Sequence, residues 1–189
     1  MKAVIVMAER QAEEVDRLVS YINDLDGTEV VVIPAVDEVD SYPARNNYSL
    51  RQAAQAIGEE AFFWLEPDSI PLKAGWLDLL EEEYRGSGKE FMLSYDKNPP
   101  FDLIGGIGIY GPSTRWLIPR DIDRWGWDTW MAYHIPHAIY WSQRIQHSYG
   151  NYDAEGIADP HRFPRDAGII RHDSLIFHRD KYQDIITTK

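Results

Sequence analysis

The sequence contains no cysteine, which excludes disulfide bonds, thiol nucleophiles and cysteine-ligated zinc or iron–sulfur centres. It also has no apolar run close to the roughly 20 residues that a membrane-spanning helix needs, so no membrane span is expected. Residues 1–7 carry one basic side chain and are too short an apolar run for a signal peptide, and they fit a buried strand instead. We therefore expect a cytoplasmic protein.

Basic charge is scarce, with 19 Lys and Arg against 31 Asp and Glu and a net charge of -12. Such a chain has no general attraction for the phosphate backbone of nucleic acids. It also lacks a glycine-rich phosphate loop at a strand-to-helix turn and the Gly-x-Ser-x-Gly motif of serine hydrolases. Aromatic residues are plentiful at 13%, including seven Trp, and a cluster of them near a pocket suits sugar rings or bases.

Strand and helix patterns alternate through the first half of the chain. Apolar runs and helical stripes predict strands over 2–7, 30–33, 61–65 and 91–94, and helices over 11–25, 50–57 and 74–84. Buried strands joined by helices favour parallel crossovers. We therefore predict an α/β sandwich with a mixed, mostly parallel central sheet, formed as one domain over residues 1–189.

The second half is less regular. An apolar stretch over 103–110 contains Gly105, Gly106 and Gly108, which predicts a strand that another group approaches closely. A helix is predicted over 127–139 with a break near Pro136, and a last strand over 175–178.

Two carboxylates follow the predicted strand over 61–65, namely Glu66 and Asp68 on either side of Pro67. Ligands of open α/β sheets bind beyond the carboxyl ends of strands. Paired carboxylates there suit Mg²⁺ or Mn²⁺, which take oxygen ligands and share themselves with substrate phosphates. The alternative is that Asp68 caps a turn and Glu66 is solvated.

The block over 44–77 resembles the GT-A nucleotide-sugar glycosyltransferases, in which a strand ends in an acid-x-acid motif. Arg45-Asn46, the helix after it, the strand 62–65 and the stretch 71–77 resemble the approach to that motif and the exit from it. The chain is similar to small phage and bacterial members with Glu-Pro-Asp where Asp-x-Asp is commoner. Asp68 is then the better direct metal ligand, and the longer Glu66 reaches the ribose or a metal-bound water.

The resemblance implies a GT-A-like fold and a divalent-metal-dependent hexosyl transfer from a nucleoside diphosphate sugar to an acceptor hydroxyl. The implied cofactor is Mn²⁺ or Mg²⁺, and a UDP-sugar is the favoured donor. Residues 1–100 are expected to form the nucleotide-sugar-binding half and 101–189 the half that completes the acceptor and metal sites. The implied donor-binding residues are Ala8, Glu9, Asp37, Arg45, Glu66, Gly105, Gly106 and Lys181.

The resemblance also implies a late histidine as a further metal ligand. His178, at the end of the last apolar run, fits this place, with Lys181 beside the phosphates. His172 shares the strand parity of His178 and is the alternative ligand. A purely structural histidine is the other interpretation.

An inverting transfer needs a general base near the acceptor hydroxyl. Asp128, which opens a predicted helix and lies among tryptophans, is the candidate, and Asp102 is the second. The alternative for Asp128 is a helix cap next to core tryptophans. A retaining transfer needs no such base and stays open.

A rival function is a noncatalytic carbohydrate- or nucleotide-binding module on the same fold. A nucleotidyltransferase ranks lower, because a glycine-rich basic loop after the first strand is missing. The acceptor is not readable. A glycan is open, and so is the hydroxymethylated base of phage DNA, although the net charge of -12 counts against DNA.

Overall fold

The computed structural model describes residues 1–35, 43–98, 101–117, 126–147 and 175–178. The helices are α1 (Ala12–Leu25), α2 (Ala44–Ile57), α3 (Trp76–Ser87), α4 (Thr114–Leu117) and α5 (Trp127–His134). The strands are β1 (Lys2–Met7), β2 (Val30–Pro34), β3 (Phe62–Trp64), β4 (Ser69–Pro71), β5 (Phe91–Asn98), β6 (Phe101–Tyr110), β7 (Ile139–Ser142), β8 (Ile145–His147) and β9 (Ile176–His178). None of these helices has the length and apolar character that a bilayer crossing requires.

Six strands form the central sheet in the order β2-β1-β3-β6-β5-β7. β1 runs parallel to both β2 and β3, and β5 runs parallel to β7. β6 is antiparallel to its neighbours β3 and β5, so it is reversed relative to the other five strands of this sheet. The prediction of a mixed, mostly parallel sheet is confirmed.

Helices cover both faces of the sheet because successive strand residues point to opposite sides. Ala3 and Ile5 of β1 belong to the core that α1 and α3 cover. Val4 and Val6 belong to the second core, which contains residues of α2 and α5. Both faces of the strand are therefore apolar, as the uninterrupted apolar run over 2–7 predicted.

The predicted helix boundaries differ most from the structure in α2 and α5, and the other two long helices agree within three residues. α2 already begins at Ala44, ahead of the predicted start at residue 50. α5 ends at His134 rather than 139, and a 3-10 turn over Pro136–Ala138 leads into β7. Pro136 lacks the backbone N–H that a continuing helix needs and disfavours helical geometry at the residue before it, so the break falls where the proline predicted it.

The predicted close approach in β6 is confirmed at two glycines. A Cβ on Gly108 would lie 2.1 Å from the carbonyl oxygen of Met92 on the neighbouring strand. The pairing register shifts at this point, between Leu93 and Ser94 of β5. A Cβ on Gly106 would lie 2.6 Å from the indole of Trp127, so β6 is both bulged and tightly covered here.

A second, three-stranded sheet has the order β4-β9-β8. β9 is the last strand that the sequence predicted, whereas the short strands β4 and β8 were not predicted. In this sheet Ser69 pairs with His178 across antiparallel strands. The backbone of His178 therefore lies opposite the residue that follows Asp68, although the two are far apart in the sequence.

Candidate functional site

A cleft of about 410 Å³ opens beyond the carboxyl ends of β1, β2 and β3. Its walls come from these strand ends, from the first turns of α1 and α2, and from the Glu66-Pro67-Asp68 segment. The lining residues are Val6, Ala8, Gln11, Glu14, Ala35, Arg45, Asn46, Ser49, Trp64, Glu66, Pro67 and Asp68. This is the edge at which open α/β sheets bind their ligands.

The polar wall of the cleft has a simple local origin. Gln11 and Glu14 lie about one turn apart at the start of α1, and Asn46 and Ser49 lie one turn apart at the start of α2. Arg45 adds a positive charge beside them. The first turns of helices present unpaired N–H groups and a positive dipole end, so this wall suits a phosphate-bearing ligand.

Three carboxylate side chains, those of Glu14, Glu66 and Asp68, also line the cleft, and they suit a cation rather than a phosphate. Burial raises the pKa of Glu14, and the negative charge of Asp68 raises it further, whereas Arg17 opposes the shift. The like charges of Glu14 and Asp68 are therefore close enough to repel each other. Glu66 lines the same cleft. Oxygen ligands of this kind suit a divalent cation that completes its coordination with water and substrate phosphates.

The described residues do not hold a complete metal site by themselves. Across the ranges that the structure describes, no group of three or more His, Asp or Glu side chains is arranged to bind a metal ion. The metal-binding role predicted for Glu66 and Asp68 stays a prediction.

Asp128, in the first turn of α5, does not line the cleft but lies close enough to Glu66 for the two charges to interact. Burial raises the pKa of its carboxyl group to about 6, and the charge of Glu66 raises it as well. The hydrogen bond that the Thr129 N–H donates to its Oδ1, at 2.7 Å, acts in the opposite direction. A carboxyl group with a pKa near 6 is a competent proton acceptor at neutral pH.

Aromatic residues fix the start of α5 against the sheet. The Trp127 Nε1–H donates to the Tyr110 hydroxyl at 2.6 Å, and that hydroxyl donates to the carbonyl of Gly106. Trp127 also meets Trp64 edge to face, with 5.8 Å between ring centroids. Trp127 is thus a core residue, as one interpretation of the sequence held, and the group that approaches Gly106 on its Cβ side is this indole.

The remaining predicted site residues are distributed as follows. Ala8, Arg45, Glu66 and Asp68 line the cleft, whereas Glu9 is exposed in the 3-10 turn before α1 and is not among the described lining residues. The backbone of Gly105 pairs with Ser94 of β5, and Gly106 follows it on β6. Asp102 pairs with Lys97 near the far end of this hairpin, about 13 Å along the strand from Gly106.

Three predicted residues lie outside the part of the chain that the structure describes: Asp37, His172 and Lys181. His178 is described in its backbone, which lies opposite Ser69. The roles predicted for these residues stay predictions.

The first turns of α1 and α2 contribute side chains to the cleft that were not predicted as site residues. These side chains are Gln11 and Glu14 at the start of α1 and Asn46 and Ser49 of α2. Their signal was present, since polar residues at one-turn spacing at the start of a helix that follows a buried strand face the ligand edge.

Comparison with known proteins shows a structural likeness without a sequence match. No protein-family model matches the chain, and no curated protein matches it. A solved glycosyltransferase involved in the glycosylation of the major capsid of PBCV-1 is similar over 98% of this chain and 100% of its own, with a TM-score of 0.56 and 14% identity. A glucose-1-phosphate thymidylyltransferase from Bacillus anthracis has a TM-score of 0.45 and 10% identity over 75% of this chain and 86% of its own.

The likeness to the viral glycosyltransferase extends over nearly the whole chain and shows the fold. The protein has a mixed α/β fold with a mostly parallel central sheet, similar to that of a glycosyltransferase. The prediction of an α/β fold like that of a glycosyltransferase is therefore confirmed.

Proposed function

We propose that this protein is a glycosyltransferase that moves a sugar from a nucleoside diphosphate sugar to an acceptor hydroxyl. The observation that carries the proposal is the cleft itself. It combines two helix N-termini and Arg45, which suit a diphosphate, with the carboxylates of Glu66 and Asp68, which suit a cation. The structural likeness to a glycosyltransferase supports the same function.

The cleft also separates the two ends of the proposed donor. The diphosphate lies against the first turn of α2, where Arg45 and Asn46 neutralise and orient it. The nucleoside extends toward Ala8 and Ala35 at the ends of β1 and β2, where the cleft is apolar. A UDP-sugar remains the favoured donor.

Asp68 and Glu66 are the residues that would hold Mn²⁺ or Mg²⁺, and His178 is the proposed third ligand. When bound there, the cation would neutralise charge on the departing diphosphate. Without it, the charges of Glu14 and Asp68 repel each other, and all three carboxylates of the cleft repel the phosphates. A divalent cation is therefore required for donor binding.

Asp128 is the proposed general base of an inverting transfer. Its carboxylate takes the proton of the acceptor hydroxyl while the acceptor oxygen forms a bond to the anomeric carbon. The bond between that carbon and the diphosphate oxygen breaks, and its electron pair leaves with the nucleoside diphosphate. The raised pKa of Asp128, about 6, matches this task at neutral pH.

The first test is thermal unfolding in the presence of UDP, GDP, CDP or ADP, each with and without Mn²⁺. A ligand at about 100 times its Kd stabilises by about 2.7 kcal/mol, which raises the Tm of a chain of this size by about 5–10 °C. We expect a shift for one nucleoside diphosphate that depends on Mn²⁺.

The matched variants are Asp68→Asn and Asp24→Asn, the second of which removes an exposed carboxylate at the far end of α1. Asp68→Asn should abolish the metal-dependent shift and lower transfer at least 100-fold, whereas Asp24→Asn should resemble the wild type. Absence of a shift with every nucleotide rejects the proposed function. A shift that is indifferent to metal and to Asp68→Asn indicates a binding module instead.

A further inference from the structure

Asn47 is a fully buried polar residue in the first turn of α2. It directly follows Arg45 and Asn46, which are two of the residues that line the cleft. Asn47 itself is not among the residues that line that cleft. The Oδ1 of Asn47 accepts a hydrogen bond from the backbone N–H of Trp127 at 2.9 Å, across 80 positions of sequence. A buried amide is therefore used to join α2 to the start of α5.

The start of α5 needs such a partner. The first N–H groups of a helix have no acceptor within the helix, and a side chain at the N-cap usually supplies one. The N-cap of α5 is Gly126, which has no side chain, and no side-chain cap is present there. Asn47 supplies the acceptor from another helix. A helix of eight residues gains little stability on its own, so contacts of this kind fix its position.

Asp128 is the next residue after the N–H that Asn47 holds. Its Oδ1 accepts from the Thr129 N–H in the same first turn, so the carboxyl group is fixed to the backbone that Asn47 anchors. Trp127 itself is held on its other side by Tyr110 and by contact with Gly106. Removal of the Asn47 acceptor breaks the hydrogen bond of the Trp127 N–H, which ties this turn to α2 in the described structure.

We propose that Asn47 is the positioning residue for Asp128, and that it ties the base to the same helix turn that binds the donor. The inference rests on the proposed function. Asn47 contacts neither substrate; it acts through the backbone of Trp127. A displacement of a reacting group by about 1 Å costs on the order of 100-fold in rate, so a small shift of α5 has a measurable effect.

The test compares Asn47→Leu, which removes the acceptor at similar volume, with Asn47→Asp, which keeps it and adds a negative charge. We expect Asn47→Leu to lower kcat about 10- to 100-fold with the KM for the donor within twofold of wild type. Asn47→Asp should retain kcat within about threefold on its pH plateau. The acid limb of its kcat profile should move to higher pH, because the added charge, like that of Glu66, opposes ionisation of Asp128.

Asn23→Asp, an exposed change on α1, is the control for charge alone and should leave the profile unmoved. A folded Asn47→Leu protein with wild-type kcat overturns the inference. A variant whose KM for the donor rises by the same factor as its kcat falls overturns it too. If Asn47→Leu does not fold, Asn47→Ala, which also removes the acceptor, decides, and a wild-type kcat in that variant overturns the inference. A wild-type protein that transfers no sugar from any nucleoside diphosphate donor rejects the proposed function first, whatever the variants do.

Discussion

At the scale of single residues, the acidity of Asp128 links stability to chemistry. Burial is the main cause of its raised pKa, and the charge of Glu66 adds to it. The same environment that makes the carboxylate a stronger base makes its ionised form less favourable in the folded protein. A neutral side chain of similar shape would be more stable than this buried carboxylate. A carboxyl group that is present despite that cost is typical of a functional site.

Asp128→Asn is therefore expected to stabilise the fold at neutral pH. The pKa of Asp128 is about 6 in the folded protein and 3.8 in an exposed chain, so the folded state binds more protons than the unfolded state between these values. The free energy of unfolding of the wild type then falls as the pH rises from about 4 to 6, by up to about 3 kcal/mol from this group. The variant lacks that fall and should be more stable at pH 7 and equal near pH 3.5.

Denaturant titrations at pH 3.5, 5 and 7 measure this difference. Asp16→Asn, which removes an exposed carboxylate on α1, is the control and should follow the wild type. An Asp128→Asn protein that is less stable than the wild type at pH 7 contradicts the prediction. It would mean that Asp128 serves mainly as a stabilising cap of α5.

At the scale of elements, β6 is the strand that joins β3, which leads into the cleft, to α5, which carries Asp128. It pairs with β3 through its last residues, 108–110, and the residues before these extend past the end of β3. Gly106 lies in this extension, where the indole of Trp127 covers it. The packing of α5 on the sheet therefore depends on a strand position without a side chain.

Gly106→Ala should destabilise the protein by about 1–3 kcal/mol, because the added methyl group would lie 2.6 Å from Cζ2 of an indole that is held by its own hydrogen bond. Gly86→Ala is a matched control, since nothing lies within 4 Å of its Cβ position and it is inside α3. This control should be more stable by about 0.5–1 kcal/mol. Equal Tm changes in the two variants would show that Trp127 adjusts at no cost.

At the scale of the whole molecule, excess negative charge is the dominant electrostatic feature. The net charge is -12, and three of the four side-chain ion pairs in the described structure include at least one partner with a side chain more than 60% exposed. Such pairs contribute little to stability. Repulsion among the unpaired carboxylates opposes the compact state.

The protein should therefore gain stability as NaCl rises from about 20 to 200 mM at pH 8, since salt screens repulsion over the distances between surface charges. We expect the Tm to rise by a few degrees, and the rise to shrink near pH 4.5, where many carboxyl groups are protonated. Thermal unfolding followed by circular dichroism measures both. A Tm that falls with added salt at pH 8 would mean that attractive pairs outweigh the repulsion.

Much of the architecture was predictable because local patterns determined it. The apolar run over 2–7, the helical stripe of α1 and the strand that ends at Trp64 each carry their period in adjacent residues. The short strands β4 and β8 were not predictable, because three residues hold no period and their pairing depends on distant partners. The early start of α2 was missed because its first turn is polar and serves the cleft.

The candidate site likewise has one part that was predictable from the sequence and one part that was not. The sequence by itself determined that Glu66 and Asp68 follow a buried strand, and therefore that they lie at the ligand edge of the sheet. Only the tertiary structure decided that Glu14 joins them, that Asp128 lies close enough to Glu66 for its pKa to rise, and that Asn47 caps α5. The physical reason is that periodicity and turn residues act between neighbours in the chain. Burial, charge interaction and capping across 80 residues exist only once the helices have packed on the sheet.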